Sequence, residues 1–148
     1  VTAFLPGPDV VAFYSYATGV SLELPIGFEV DDEDEWSATY VDADRGEARV
    51  QVRVVGALDS DAPASAAKSL ADAFARVGNH VVGRRELTVD QTPAFTVVTR
   101  RDDDWVLHQT ALAADGRLIT IVGLLPPDEA DLPGELDTAI ESVRVIVL

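Results

Sequence analysis

Tyr16-Ala17-Thr18-Gly19-Val20-Ser21-Leu22-Glu23-Leu24-Pro25-Ile26-Gly27-Phe28 is the stretch on which the fold turns. Val20, Leu22 and Leu24 alternate with Ser21 and Glu23, the period of a strand buried on one side. Pro25 stops that strand, because it offers no backbone N–H to a ladder, and Gly27-Phe28 turns the chain. A second stretch near the other end echoes the first. Gly116-Arg117-Leu118-Ile119-Thr120-Ile121-Val122 leads on to Ile140-Glu141-Ser142-Val143-Arg144-Val145-Ile146.

Between these landmarks the period changes twice. Asp31 to Glu35 is five consecutive acids, expected to be a solvated loop, since like charges cannot share a packed face. Trp36 to Val41 reads as a strand. Asp42-Ala43-Asp44-Arg45-Gly46 is turn chemistry, with Gly46 free to take positive φ. Arg49 to Val55 alternates strictly, with Val50, Val52 and Val54 on one side. Asp59, Ser60 and Asp61 then offer helix caps, and Pro63 suits a first turn. Ala67, Leu70, Phe74 and Val77 share one helical face, and Gly78-Asn79 ends the helix.

From His80 to Leu125 the pattern predicts a meander of four antiparallel strands, over about 80–90, 94–101, 105–113 and 118–125. The turns are Gln91-Thr92-Pro93, Asp102-Asp103-Asp104 and Asp115-Gly116, the last a strong hairpin signal. The fourth strand is almost wholly apolar, as expected of a central strand covered on both faces. Pro126-Pro127 breaks it. A helix over about 134–143 follows, with Leu136, Ala139, Ile140 and Val143 on its buried side, and Arg144 to Leu148 can close a short last strand. The fold class is therefore α+β: one domain over 1–148, a twisted antiparallel sheet flanked by helices in an α/β/α sandwich, with 1–12 an extended N-terminal segment.

The order and spacing of three elements resemble the PsbP-like superfamily. This is the fold of the photosystem PsbP subunit, the Ran-binding Mog proteins and the LpqN-type domains of actinobacteria. The elements are Gly19 to Phe28, Val89-Asp90-Gln91-Thr92-Pro93-Ala94-Phe95, and Gly116-Arg117-Leu118 followed by a helix and Ile140 to Arg144. Gln91 departs from the pattern, standing where a glycine is common. The family shares no catalytic residues. The resemblance implies a non-enzymatic binding domain, with another protein as partner and no cofactor.

Bulk properties narrow the function further. The 148 residues carry a formal charge of −15, with 26 acids against 11 Lys and Arg, and no cysteine. A field of that sign repels nucleic-acid phosphates and anionic lipid. The lack of cysteine removes disulfides, thiolate metal sites and a lipobox. Val1 to Asp9 has neither a basic run nor a long apolar one, so no signal peptide is expected there. A cytoplasmic bacterial protein is the expectation, with export after leader removal as the alternative. Abundant Ala, Val, Asp and Arg with scarce Lys fit a high-GC genome.

No motif carries recognisable chemistry. His80 and His108 have no metal-ligand spacing, and ordinary strand roles are expected for both. There is no GxSxG elbow and no phosphate loop. The candidate partner-binding residues are two groups. Arg84-Arg85 and Arg100-Arg101 would form a cationic spot for a carboxylate or phosphate if Thr92 centres the turn, placing Arg84 opposite Arg100 and Arg85 beside it. Neutralisation by Glu86, Asp102, Asp103 and Asp104 is the competing reading. Trp36, Tyr40 and Trp105 would form an interaction patch if exposed, or core edges if buried. A protein-interaction domain should expose an aromatic patch. A carrier of a small apolar, lipid-like ligand should hold a pocket walled by Leu70, Phe74, Val122 and Leu124. An enzyme would need convergent polar groups that no segment supplies.

Overall fold

The computed structural model describes residues 1–5, 9–57, 63–77 and 80–146. Eleven strands and two helices are assigned among them. Strands β1 (Thr2–Phe4), β2 (Val10–Ser15), β3 (Val20–Pro25) and β11 (Arg144–Val145) make a small sheet in the order β1-β2-β3-β11. Strands β4 (Glu29–Glu33), β5 (Ser37–Asp42), β6 (Ala48–Ala57), β7 (His80–Val89), β8 (Thr92–Arg100), β9 (Val106–Ala114) and β10 (Arg117–Leu125) make a large one. Its order is β4-β5-β6-β10-β9-β8-β7, and every pairing in it is antiparallel. Helix α1 (Pro63–Val77) lies over β8, β9 and β10. Helix α2 (Leu132–Glu141) lies with the small sheet on the other side.

The opening stretch and its echo meet in space. Val20, Leu22 and Leu24 are fully buried while Glu23 is exposed, as the alternation requires. Val20 and Ser21 pair with Val145 and Arg144 of β11. The Ile146 N–H donates to the Gly19 carbonyl at 2.7 Å, and Arg117 Nη1 donates to the Thr18 carbonyl at 2.8 Å. Chain segments about a hundred residues or more apart thus close one corner of the domain.

The four-strand meander forms with boundaries within two residues of expectation, and β10 sits between β6 and β9. Its Ile119, Ile121 and Leu125 enter the main core with Val50, Val52, Val54, Tyr40 and Leu112. Leu118 on the opposite face joins α1. Gly123 has a packing reason: a Cβ there would collide with Leu136 of α2, so its bare backbone lets the helix lie close to the strand. Asp42 caps the 3-10 turn Ala43–Arg45 by accepting from the Asp44 N–H at 3.1 Å, and Gly46 leaves it at φ 68°. Asp115 and Gly116 both take positive φ, as a tight primed hairpin demands.

Three readings are corrected and a fourth, the sandwich, is made more specific. The acidic run is not all loop: Glu29–Glu33 forms strand β4. A strand at the sheet edge leaves its residues exposed, and Glu33 is met by the Ser15 hydroxyl at 2.6 Å and the Val1 amino group at 3.3 Å, so no charge enters a packed face unpartnered. The β7–β8 turn is Asp90-Gln91, both at positive φ, with Val89 opposite Thr92. It is a two-residue turn one step earlier than Thr92, and Gln91 takes the conformation in which a glycine would be at ease. Val77 is 80% exposed, because the stripe of α1 outruns the sheet, and Ala71 is buried in its place. The layer opposite α1 is a small sheet plus α2, since residues 2–4 and 10–15 pair as strands. The proposed caps Asp59, Ser60 and Asp61 and the terminator Gly78-Asn79 lie outside the described residues.

Candidate interaction surface

The arginine pairs are dispersed by strand register. Arg84 stands opposite Val97, Arg85 opposite Thr96, and Arg100 opposite His80. The earlier turn, together with a bulge between Val81 and Gly83, removes the Arg84–Arg100 pairing. Neighbouring strand residues point to opposite faces, and the two arginines of β7 do so. Arg84 bonds Asp72 on α1, while Arg85 reaches Glu141 at 3.0 Å and Asp137 at 3.8 Å on α2. Each clasps a different helix to the sheet edge. Arg100 lies 3.9 Å from Asp104, and Arg101 is bonded to Asp103. Each of these four guanidiniums thus has a carboxylate of its own nearby, and the register does not bring the two pairs together. The Arg84 guanidinium, with Lys68 nearby, holds the Asp72 carboxyl below its ordinary range. The helix carboxylates Asp72, Asp137 and Glu141 were not foreseen, because nothing in a strand's sequence says which helix residue will lie above it.

The aromatic group also separates. Tyr40 is not a surface residue. It is fully buried, 4.6 Å between ring centroids from Phe13, and burial pushes its phenol well above the ordinary value. The reason is parity: Tyr40 shares the inward face with Ala38 and its partner Val50. Trp105 is half-buried in the β8–β9 turn, where its N–H donates to Asp103 Oδ1 and its carbonyl accepts from the Arg101 N–H. Trp36 alone of the three is largely free, at 61% exposure. Ser37 aligns through Arg53 and Thr120 with Ala111, whereas Trp105 precedes Val106. The two tryptophans, each one residue further out, therefore sit at opposite strand ends, separated by about seven rungs of β9, roughly 24 Å along the strands.

Trp36 is held by local chemistry. Asp34 Oδ1 accepts from the N–H groups of Trp36 at 2.8 Å and Ser37 at 2.9 Å, closing the β4–β5 hairpin. The Trp36 N–H is the main reason the Asp34 carboxyl titrates below its ordinary value. The Trp36 carbonyl accepts from the Val54 N–H at 2.8 Å. Beyond that bond β5 has turned away, so Gly56 and Ala57 of β6 pair with β10 alone. Here Trp36, Arg53, Val54, Val55 and Gly56 line an open cleft of about 440 Å³. Val55 is exposed, a Cβ on Gly56 would touch nothing, and Arg53 has no ion pair among the described residues. A second cleft of about 400 Å³ on the small sheet is lined by Phe4, Tyr14, Leu22, Arg144 and Ile146 among others.

His108 is buried on β9. Its Nε2 lies 2.7 Å from Asp137 Oδ1, and Nδ1 has no partner among the described residues. The ionised carboxylate only accepts, so Nε2 carries the proton. Burial holds the ring's pKa below its ordinary value, against the pull of Asp137. His80 is exposed and 3.8 Å from Asp102. Among the described residues no three His, Asp or Glu side chains converge as a metal site would require, and no helix is long and apolar enough to cross a membrane. Leu70 and Phe74 pack onto the sheet with Ala67, Ala111 and Phe95, and neither they nor Val122 and Leu124 line the two clefts above.

No family model matches the chain, and no curated protein matches it in sequence. Solved structures do match in shape. Cyanobacterial PsbP from Synechocystis sp. PCC 6803 superposes with a TM-score of 0.69 at 17% identity, over 98% of both chains. A Bacteroides thetaiotaomicron VPI-5482 protein gives 0.65 at 8% identity, over 92% of this chain and 48% of its own. A Pseudomonas aeruginosa protein of unknown function, described as a candidate regulator, gives 0.55 at 14% identity, over 91% and 96%. At such identities the likeness is one of architecture, and it agrees with the order of elements first read around Gly19 and Gly116: the chain has the PsbP-like fold.

Proposed function

We propose that this domain acts without catalysis, as a protein-binding module that takes an extended segment of its partner at the Trp36 end of the large sheet. The observation that carries the reading is the exposed Trp36 indole, fixed by the Asp34 turn beside a strand end that has lost its β5 neighbour. Tryptophan is among the residues that dominate binding energy at interfaces. A free strand end supplies backbone donors and acceptors to an added strand, while pockets beside it choose side chains. Arg53, which lines the cleft, supports a preference for a segment bearing a carboxylate, since a guanidinium recognises that group with two donors. The partner is a protein segment and not a nucleic acid, consistent with the net charge of −15.

The test is selection of linear peptides from a display library on the wild-type domain, followed by titration in a Trp105→Phe background that leaves Trp36 as the sole indole. Selected peptides should change Trp36 fluorescence on binding, and should bind Trp36→Ala and Arg53→Glu at least about tenfold more weakly. Peptides that bind both variants as tightly as wild type would refute the site.

A further inference from the structure

The two outer strands of the large sheet are guarded differently. On β4 the exposed residues Glu29, Asp31, Asp32 and Glu33 carry four carboxylates, and a bulge between Val30 and Asp32 breaks the edge. Charge and bulges are the usual protections of an open edge. Strand β7 is ten residues long and ends the sheet at the other side; it has its own bulge between Val81 and Gly83, but Gly83 to Val89 keep regular register, so the contrast lies in charge. Its early half shows Val81 and Val82, 46% and 54% exposed, and the first carboxylate appears only at Glu86. The edge bears two arginines against one acid, in a chain whose overall charge is −15. A second copy approaching most other surfaces meets acid facing acid, whereas at β7 it does not.

We propose that β7 is the seam of a two-fold symmetric dimer of this chain, paired antiparallel to β7 of a second copy with Arg85 on the axis. The register follows from geometry. An axis perpendicular to the sheet keeps each side chain on its own face, so residues placed opposite each other must differ by an even number. Centring on Arg85 sets Arg84 opposite Glu86 of the second copy, twice over, on the α1 side of the sheet. Arg84 already points to that side through Asp72, and Glu86, two residues on, shares it. Glu86 is exposed and has no ion pair among the described residues, so it is available to the neighbour. Opposite charges directly across a ladder stabilise the pairing. The like charges that meet on the axis are each balanced within their own copy, because Arg85 is held by Glu141 and Asp137.

The chain has no cysteine, which makes the register directly testable. Sedimentation velocity of the intact chain should show reversible assembly from 15.8 kDa to twice that mass. Arg85→Cys should form an intermolecular disulfide under mild oxidation, and Val30→Cys on β4 should not. Glu86→Lys, which sets two cations against Arg84, should weaken the dimer at least about tenfold, and adding Arg84→Glu should restore it. Three outcomes overturn the proposal: a monomer up to on the order of 100 µM, assembly that runs past the dimer as a head-to-tail chain would, or a dimer indifferent to Glu86→Lys. Near-ultraviolet circular dichroism checks that each variant keeps its fold, and the peptide-binding assay at Trp36 reads separately, at the other side of the sheet.

Discussion

The two faces of the large sheet are buried by different means. One face meets the small sheet and α2 in a continuous core that holds Phe13, Leu22, Leu24, Tyr40, Ile119, Ile121, Leu136 and Ile140. The other meets α1 through Ala67, Ala111 and Ala113, with Leu70, Phe74, Phe95 and Leu118 only half-buried around them. Alanines let the helix lie close, but they remove little apolar surface from water, and stabilisation scales with that surface. The two-sheet side therefore carries most of the stability. Helix α1 is the layer that can detach, held at its margin by the Arg84–Asp72 clasp, and surface ion pairs of that kind contribute little.

The sharpest way to break this contrast is to remove equal-looking side chains from the two faces. Leu136→Ala empties a site only 1% exposed against Gly123 and should cost about 2–5 kcal/mol in urea unfolding. Phe74→Ala takes a larger side chain from the α1 face, yet should cost less, about 1–2 kcal/mol, since its ring is only partly buried. Hydrogen exchange should agree, with α1 amides opening at lower free energy than those of β10. An equal cost at the two positions would dissolve the comparison.

A smaller effect is expected from pH. His108 ties β9 to α2 in its neutral form, and its folded pKa lies below the ordinary value of 6.5 because burial disfavours the charge. The unfolded chain then takes up the proton first. This contribution is whole above about pH 6.5 and is lost as pH falls from there through the lower folded value. Unfolding measured from pH 7.5 to 5 should show declining stability, and His108→Gln should flatten the decline. Smallest of all should be Tyr40→Phe. It removes a buried hydroxyl that has no partner among the described residues, and should leave stability within about 1 kcal/mol of wild type or slightly above it.

Much of the architecture was legible from single segments. Val20-Leu22-Leu24 and Val50-Val52-Val54 announce their inward faces by alternation, Asp115-Gly116 announces its hairpin, and Leu136-Ala139-Ile140 announce a helix stripe, although the helix runs Leu132–Glu141 and leaves Val143 beyond its end. The acidic run was misread because composition reports solvation and not hydrogen bonding, and an edge strand satisfies both. The candidate site was far less legible. Trp36 and Tyr40 stand four residues apart with similar composition around them, and one is in solvent while the other is in the core. An even spacing gives them the same parity, so only the strand's boundary separates them: Trp36 lies one residue before β5 begins, and Tyr40 within it.

The sequence by itself determined the period of each element, the places where the chain must turn and the net acidic charge, because the first two depend on residues adjacent in the chain and the last on composition alone. The tertiary structure decided what depends on distant partners. It chose which carboxylate meets each arginine, sending Arg84 and Arg85 to different helices. It left Gly56 and Ala57 without a β5 neighbour beside Trp36. It also made β7 an edge. Sheet order and strand register fix these outcomes, and a one-residue shift in register turns every side chain to the opposite face.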